Sequence, residues 1–387
     1  MAQRSLAHGS LARRLLAVAG AFFIIVFAGF AVMALTGQTR TVTIGDPKLN
    51  ATTTAAATGD TADTASTTAT TTAPAPLDEA TYDAKMLAIA NLPVITKKIV
   101  TGSTTITVTS TAVTGWPVKD APYPDAGALL PFKRIVAYYG NFYSTQMGVL
   151  GEYPPDQMMA MLASTTAMWA AADPSTPVVP ALDYIAVAAQ ASPGPDGKYR
   201  LRMPDSQIDQ ALALVQPVNG LVFLDIQVGL SNVETEVPLL KKYLAMPNVE
   251  LSLDPEFDMH NGQAPGTVIG TMDASDINFA ANYLANLVEQ NNLPPKILVV
   301  HRFTEDMVTN YREIKPLPQV QIVMDMDGFG YPAKKINTYE RVIVPEPVQF
   351  TGFKLFYKND AKGPEGHLMT PEEVLQLSPQ PSYIQYQ

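Results

Sequence analysis

From about Arg134 the chain alternates short, wholly apolar runs with longer stretches whose apolar residues recur at helical spacing. The runs RIVAYYG (134–140), PVVPALDYIAVA (177–188), GLVFLDIQ (220–227), NVELSLDPEF (248–257), KILVVHRF (296–303) and VQIVMDMDGFG (320–330) read as strands. Helices are predicted over 155–172, 204–216, 237–245, 273–292 and 304–314, the fourth with its own N-cap residues. A weaker seventh unit falls near ERVIVP (340–345), and GFKLFYKND (352–360) reads as the final strand. Strands apolar on both faces belong to a parallel sheet covered by helices. About eight such units in roughly 255 residues predict an α/β fold of the (β/α)8 barrel type over 131–387. No glycine-rich phosphate loop follows the first strand, where YYGNFYS stands instead, so an open dinucleotide-binding sheet is disfavoured.

The pattern before the barrel is different. Arg4, Arg13 and Arg14 in the tail 1–14 precede LLAVAGAFFIIVFAGFAVMAL, an uncharged run long enough to cross a bilayer. A signal anchor over 15–36 is expected, with the basic flank cytoplasmic and the barrel outside. A cleaved signal peptide, which would give a secreted protein, is the competing reading. The Thr/Ala-rich tract that follows has almost no core-forming residues, so 37–91 is expected to be a disordered stalk. Residues 92–130 form a short β-rich and Pro-rich connection, with one or two strands around Gly102.

Composition narrows the function. The chain has 387 residues and a net charge of -10, which argues against a nucleic-acid partner. The absence of cysteine removes disulfides, thiolate metal sites and cysteine nucleophiles. Nothing in the chain calls for a cofactor.

In a barrel the chemistry sits at the carboxyl ends of the strands. Those ends carry Asp183 and Tyr184, Asp225 and Gln227, Asp254 and Glu256, His301 and Arg302, Asp325 and Asp327, and finally Tyr357 and Asp360. Alternation places Asp254 with Glu256, Asp225 with Gln227, and Asp325 with Asp327 on common faces. A single strand-end Asp is more often a turn former or helix cap, but repeated acidic endings point to a pocket of mutually repelling carboxylates. Asp258 and His260 fall in the loop beyond, and the Met-rich face of helix 155–172 is core by its spacing.

Two carboxyl groups flanking a bond suit glycoside hydrolysis, one as proton donor and one as anion or nucleophile. LDPEF on the fourth strand resembles the Asp-x-Glu ending of chitinase-like glycoside hydrolase barrels, and VMDMDG is similar to their Met-x-Tyr-Asp segment, with Asp327 at the Asp position. GFKLFYKND loosely resembles their last strand. The resemblance implies Glu256 as general acid and Asp254 as the residue that tunes it. The departures are Val249 and Ser252 at the earlier acidic positions, Met326 at the tyrosine that holds an acetamido group, and no last-strand tryptophan. Residues 130–387 look more like an uncharacterised family of secreted actinobacterial-type barrels, which implies no activity.

Three functions follow. The first is a membrane-anchored glycoside hydrolase acting on an envelope or environmental polysaccharide, with Glu256 and Asp254 joined by Asp225 or Asp327 as second carboxylate. Substrate contacts are expected from Asp183, Gln227, Tyr138, Tyr139, Asn141, His301, Asp325, Tyr331 and Tyr357, with Phe142 and Tyr143 as further stacking surfaces. The second is a non-catalytic glycan-binding or envelope scaffold. The third is a metal-dependent hydrolase using Asp183, Asp225, Asp254, His301 and Asp325, ranked last because no His-x-x-x-His or His-x-His spacing occurs.

Overall fold

A computed structural model describes residues 75–92, 94–101, 104–111 and 115–387. The expected cytoplasmic tail, membrane span and most of the stalk lie outside the described residues. Among the described residues no helix is long and apolar enough to cross a membrane.

Eight parallel strands close into a barrel: β1 Arg134–Gly140, β2 Val178–Ala189, β3 Leu221–Ile226, β4 Val249–Leu253, β5 Lys296–Arg302, β6 Val320–Met326, β7 Phe350–Leu355 and β8 Tyr383–Tyr386. Each pairs with its sequence neighbours, and β8 pairs with β1 to complete the ring. The longest helices are α1 Glu79–Ala90, before the barrel, then α2 Pro155–Ala172, α3 Asp205–Val215 and α4 Ala274–Asn291. Asp273 and Asp276 form a capping box on α4, as its predicted start implies. Leu224, Ile226, Leu253, Val299 and Val323 are fully buried.

Strand alternation divides these residues between two cores. Val136, Tyr138, Leu182, Leu224, Leu251 and Val300 face outward against the helices. There Trp169 of α2 donates its indole N–H to the Tyr386 hydroxyl at 2.9 Å. Ile135, Ala137, Ala181, Phe223, Ile297, Val299, Val323 and Phe350 turn inward and make most of the lower lumen hydrocarbon, beside the buried Glu250 and Gln321.

Several sequence expectations change. The helix predicted over 304–314 is instead two 3-10 turns, Glu305–Met307 and Tyr311–Glu313, with the short strand Val308–Thr309 between them. Residues 79–90 were expected to lie in the disordered stalk, yet they form α1, whose Tyr82 and Met86 pack under the lower lumen. The Thr/Ala tract ahead of it obscures the helical spacing of Tyr82, Met86 and Ile89. The predicted seventh strand near ERVIVP is instead a π-helical turn, Tyr339–Ile343, continuing helix α5 (Pro332–Thr338), with Val342 and Ile343 buried. The strand predicted over 352–360 is therefore seventh, not eighth, and ends at Leu355. The eighth is the four-residue run YIQY, too short and too polar to announce itself. Of the β element expected around Gly102, the described residues form two antiparallel strands, Val94–Thr101 and Thr104–Thr111, with Val94 opposite Thr111.

Candidate active site

Above the hydrocarbon floor, the inward positions of the same strands become polar. Tyr139 comes from β1, Asp183 from β2, Asp225 from β3, Ser252 from β4, His301 from β5, Asp325 from β6, Lys354 from β7, and Tyr383 with Gln385 from β8. Gln227, Asp254, Glu256 and Asp327 continue these strands at the rim. Asp183, Asp225, His301, Asp325 and Gln385 are fully buried, while Asp327 keeps 9% of its surface and Glu256 is half-buried. The site therefore meets solvent on the side of Glu256 and Asp327.

Hydrogen bonds tie the strands together in the lumen. His301 bridges β4 and β6: Nδ1 lies 3.0 Å from Asp325 Oδ2 and Nε2 lies 2.9 Å from Ser252 Oγ. Tyr139 donates to Asp225 Oδ2 at 3.0 Å, and Gln227 donates to both the Tyr139 hydroxyl and Asp254 Oδ2. The amide of Gln227 is held in turn by the Ala189 backbone N–H, beside the bulge that shifts the β2–β3 register between Ile185 and Val187. Tyr383 and Gln385 both donate to Asp183 Oδ2, at 2.7 and 2.8 Å. Lys354 donates to Asp327 Oδ2 at 3.1 Å with its ammonium 3.9 Å from the centre of the Tyr139 ring.

Crowding of like charge away from water governs protonation here. Burial, reinforced by Asp254 and Asp183, pushes Asp225 well above the usual carboxylate range. Burial pushes Asp254 up to about 6, with His301 and Lys354 pulling down and Asp327 pushing up. Glu256 is driven well up by burial and by the charges of Asp254 and Asp327. Burial opposes the charge on His301, but its hydrogen bond to Asp325 and the neighbouring acids outweigh that and lift it to about 10. Burial opposes Lys354 in the same way, and Asp327, Asp254 and Asp325 overcome it. His301 and Lys354 are thus cations at neutral pH, facing a larger set of carboxyl groups that cannot all be ionised together.

A third buried cation organises the rim. Lys335 of α5 donates to the carbonyls of Gly328 and Lys354 at 2.6 and 2.7 Å and lies 3.1 Å from Asp360. Asp360 accepts from the backbone N–H groups of Gly330 and Phe356. The loops after β6 and β7 are thereby joined, and burial pulls Lys335 down to about 8 against the pull of Asp360.

The structure brings Asp183, Asp225, Gln227, Asp254, Glu256, His301, Asp325, Asp327 and Tyr139 to one mouth. Glu256 reaches it by a route that strand parity does not describe, because β4 ends at Leu253 and Glu256 sits on a 3-10 turn, Pro255–Phe257. Tyr138, Asn141 and Tyr357, expected to bind substrate, do not join the site. Tyr138 and Tyr139 are consecutive on a strand, so only one can face inward. Tyr138 points outward to Thr165 and to the Tyr357 hydroxyl, at 2.7 and 2.9 Å. Asn141 is fully buried and donates to the Ile185 carbonyl while accepting from the Tyr143 N–H, which shapes its own loop. Phe142 is stacked on Tyr184. Tyr143, Phe329 and Tyr331 are exposed at 52%, 43% and 40%, on the loops after β1 and β6. Asp258 and His260 form a separate pair 3.4 Å apart, with burial pushing Asp258 up to about 7.

Lys354, Ser252, Tyr383 and Gln385 were missed. Lys354 had a signal: a lysine between Phe353 and Leu355, inside an apolar strand, has nowhere to go but inward. Among the described residues no group of three or more His, Asp and Glu side chains is arranged to hold a metal ion.

No family model and no curated protein sequence matches this chain. Among solved structures it is similar to Plasmodium falciparum HPPK-DHPS with pteroate, at 12% identity and a TM-score of 0.32, covering 69% of this chain and 47% of that one. It is also similar to a ruminal GH26 endo-beta-1,4-mannanase, at 11% identity and a TM-score of 0.31, covering 66% and 58%. GH26C from a Muricauda species matches at 14% identity and a TM-score of 0.27, covering 69% and 75%. The chain thus spans about half the length of the first of these structures.

Proposed function

We propose that the protein is a membrane-anchored, extracytoplasmic glycoside hydrolase whose proton donor is Glu256. The observation that carries this reading is the meeting of Glu256 with Asp254 and Asp327 at the solvent edge of the lumen, where burial and both neighbouring acids keep Glu256 protonated. The Glu256 carboxyl gives its proton to the glycosidic oxygen as the bond from that oxygen to the anomeric carbon breaks. Asp254 or Asp327 carries the negative charge that stabilises the cationic carbon. Water then supplies hydroxide to that carbon and returns a proton to Glu256. Asp225, expected as an alternative second carboxylate, lies deeper, fully buried and engaged by Tyr139, so it serves the site from beneath. The apolar run of residues 15–35 supports the anchor and the extracytoplasmic placement of the barrel.

The second reading, a glycan-binding protein without catalysis, is favoured by the complete burial of the deeper acids and by the exposed rings of Tyr143, Phe329 and Tyr331. One experiment separates the two. Reducing-end release is followed from a panel of neutral, acetylated and amino polysaccharides, with wild type and Glu256→Gln side by side. Cleavage by wild type that vanishes in the variant, while binding persists, supports the hydrolase. Binding without cleavage in both supports the binder.

A further inference from the structure

The upper lumen has an unequal supply of hydrogen-bonding groups. Many donors in it are engaged within the lumen: Tyr139 serves Asp225, Gln227 serves Asp254, Tyr383 and Gln385 serve Asp183, His301 serves Asp325 and Lys354 serves Asp327. Five of its buried oxygens, four of them from acids, are left without a partner: Asp183 Oδ1, Asp225 Oδ1, Asp254 Oδ1, Asp325 Oδ1 and Gln385 Oε1. The orientation of the Gln385 amide follows from its nitrogen being held by Asp183 and Tyr383, which leaves its oxygen free. A buried acceptor without a donor costs about 1–3 kcal/mol, so a guest that complements this lumen brings hydrogens and positive charge.

We propose that the substrate is a glycan carrying free amino groups, whose ammonium is received by the acids around Asp254, a specificity that rests on the hydrolase reading above. An ammonium offers three donors and a full charge to the unpartnered oxygens. An N-acetylated sugar replaces that charge with a neutral amide and forfeits the attraction of the acids. A uronic acid or sulfated sugar adds negative charge where acids already outnumber His301 and Lys354. Met326, where a tyrosine would hold an acetamido group in the chitinase-like pattern, is fully buried and packs in the outer core, so it offers that group nothing. Acids sealed behind an apolar floor also focus their field toward the open edge, which draws cationic chains inward.

The test uses the full chain carrying Glu256→Gln, so that binding is read without turnover, and calorimetric titration at pH 6. The probes are tetramers of β-linked glucosamine and of α-linked galactosamine, their N-acetylated counterparts, and cellotetraose. The expected result is that an amino tetramer binds at least about tenfold tighter than cellotetraose, the ratio one charge-assisted hydrogen bond supplies. The N-acetylated tetramers should bind more weakly still, and adding Asp254→Asn should erase the preference. Equal or tighter binding of an acetylated or neutral tetramer overturns the proposal, as does no binding of either amino tetramer. Wild-type cleavage of an acetylated or neutral glycan, lost in Glu256→Gln, would overturn it while leaving the hydrolase intact. Tight amino-sugar binding with no cleavage by wild type would keep it and remove the hydrolase.

Discussion

Gly352 faces Asp325 across the β6–β7 pairing, and the Asp325 carboxyl fills the space that a side chain at Gly352 would take: a Cβ there would sit 2.4 Å from Oδ1. A glycine within a strand normally weakens it, and here it marks a close approach. Its absent side chain lets Asp325 stand upright and reach His301.

Gly352→Ala should therefore push Asp325 off His301 and cost about 1–3 kcal/mol, as overpacking does. Chemical denaturation reads the loss, and the imidazole resonances of His301 should show its pKa falling toward the ordinary value. An unchanged His301 titration would show that Asp325 does not depend on the gap.

Stability should be greatest at mildly acidic pH. Asp254 holds its proton up to about 6 in the fold against 3.8 unfolded, so stability falls as pH rises across that interval. His301, raised from 6.5 to about 10, contributes fully below 6.5 and loses its contribution as pH rises through about 10. Asp173 and Asp273, lowered to about 2, act in the other direction, and their contribution disappears as pH falls through about 2. Lys335, lowered from 10.5 to about 8, returns some stability above pH 8. Calorimetric melting at pH 4.5, 6 and 8 should give a descending series, flatter between 4.5 and 6 in Asp254→Asn. An ascending series is incompatible with this distribution of protons.

On a cleaved glycan, Glu256→Gln should lower kcat by about 10²–10⁴-fold with little change in KM, the scale of a lost general acid. Asp254→Asn should lower kcat less and shift the acidic limb of the pH–rate profile. Equal losses from both variants at every pH would mean that the pair does not divide its labour in this way.

The Lys335–Asp360 pair should behave as a buried ion pair. Lys335→Met alone leaves Asp360 uncompensated and should cost about 3–5 kcal/mol, whereas Lys335→Met with Asp360→Leu should recover much of that loss. A double-mutant cycle by urea denaturation measures the coupling. Simple additivity would place the two residues in separate roles.

The floor can be tested by truncation. A chain starting at residue 75 should melt like the longer protein, and one starting at 92 should melt several degrees lower, because Tyr82 and Met86 no longer cover the lower lumen. Equal melting temperatures would show α1 to be dispensable.

The barrel and its acidic mouth were legible because fully apolar strands and their polar last residues are local patterns. Asp183, Asp225, Asp254, His301 and Asp325 each follow an apolar run, and parallel closure forces such ends together. What was hidden depended on contacts distant in sequence. Tyr138 and Tyr139 look alike until the closed barrel decides which faces in. YIQY becomes a strand only because β7 and β1 flank it. Glu256 departs from strand parity because Pro255 helps to end β4 in a turn.

The hydrocarbon floor has a consequence for traffic. With the lower lumen closed by Phe223, Val299 and Phe350 and backed by α1, the acid cluster meets solvent through the mouth. Asp225 and Asp254, raised above ordinary carboxylates, load and unload their protons through that opening. Under the proposed mechanism, the proton that Glu256 gives up is therefore replaced through the same opening by which a glycan enters.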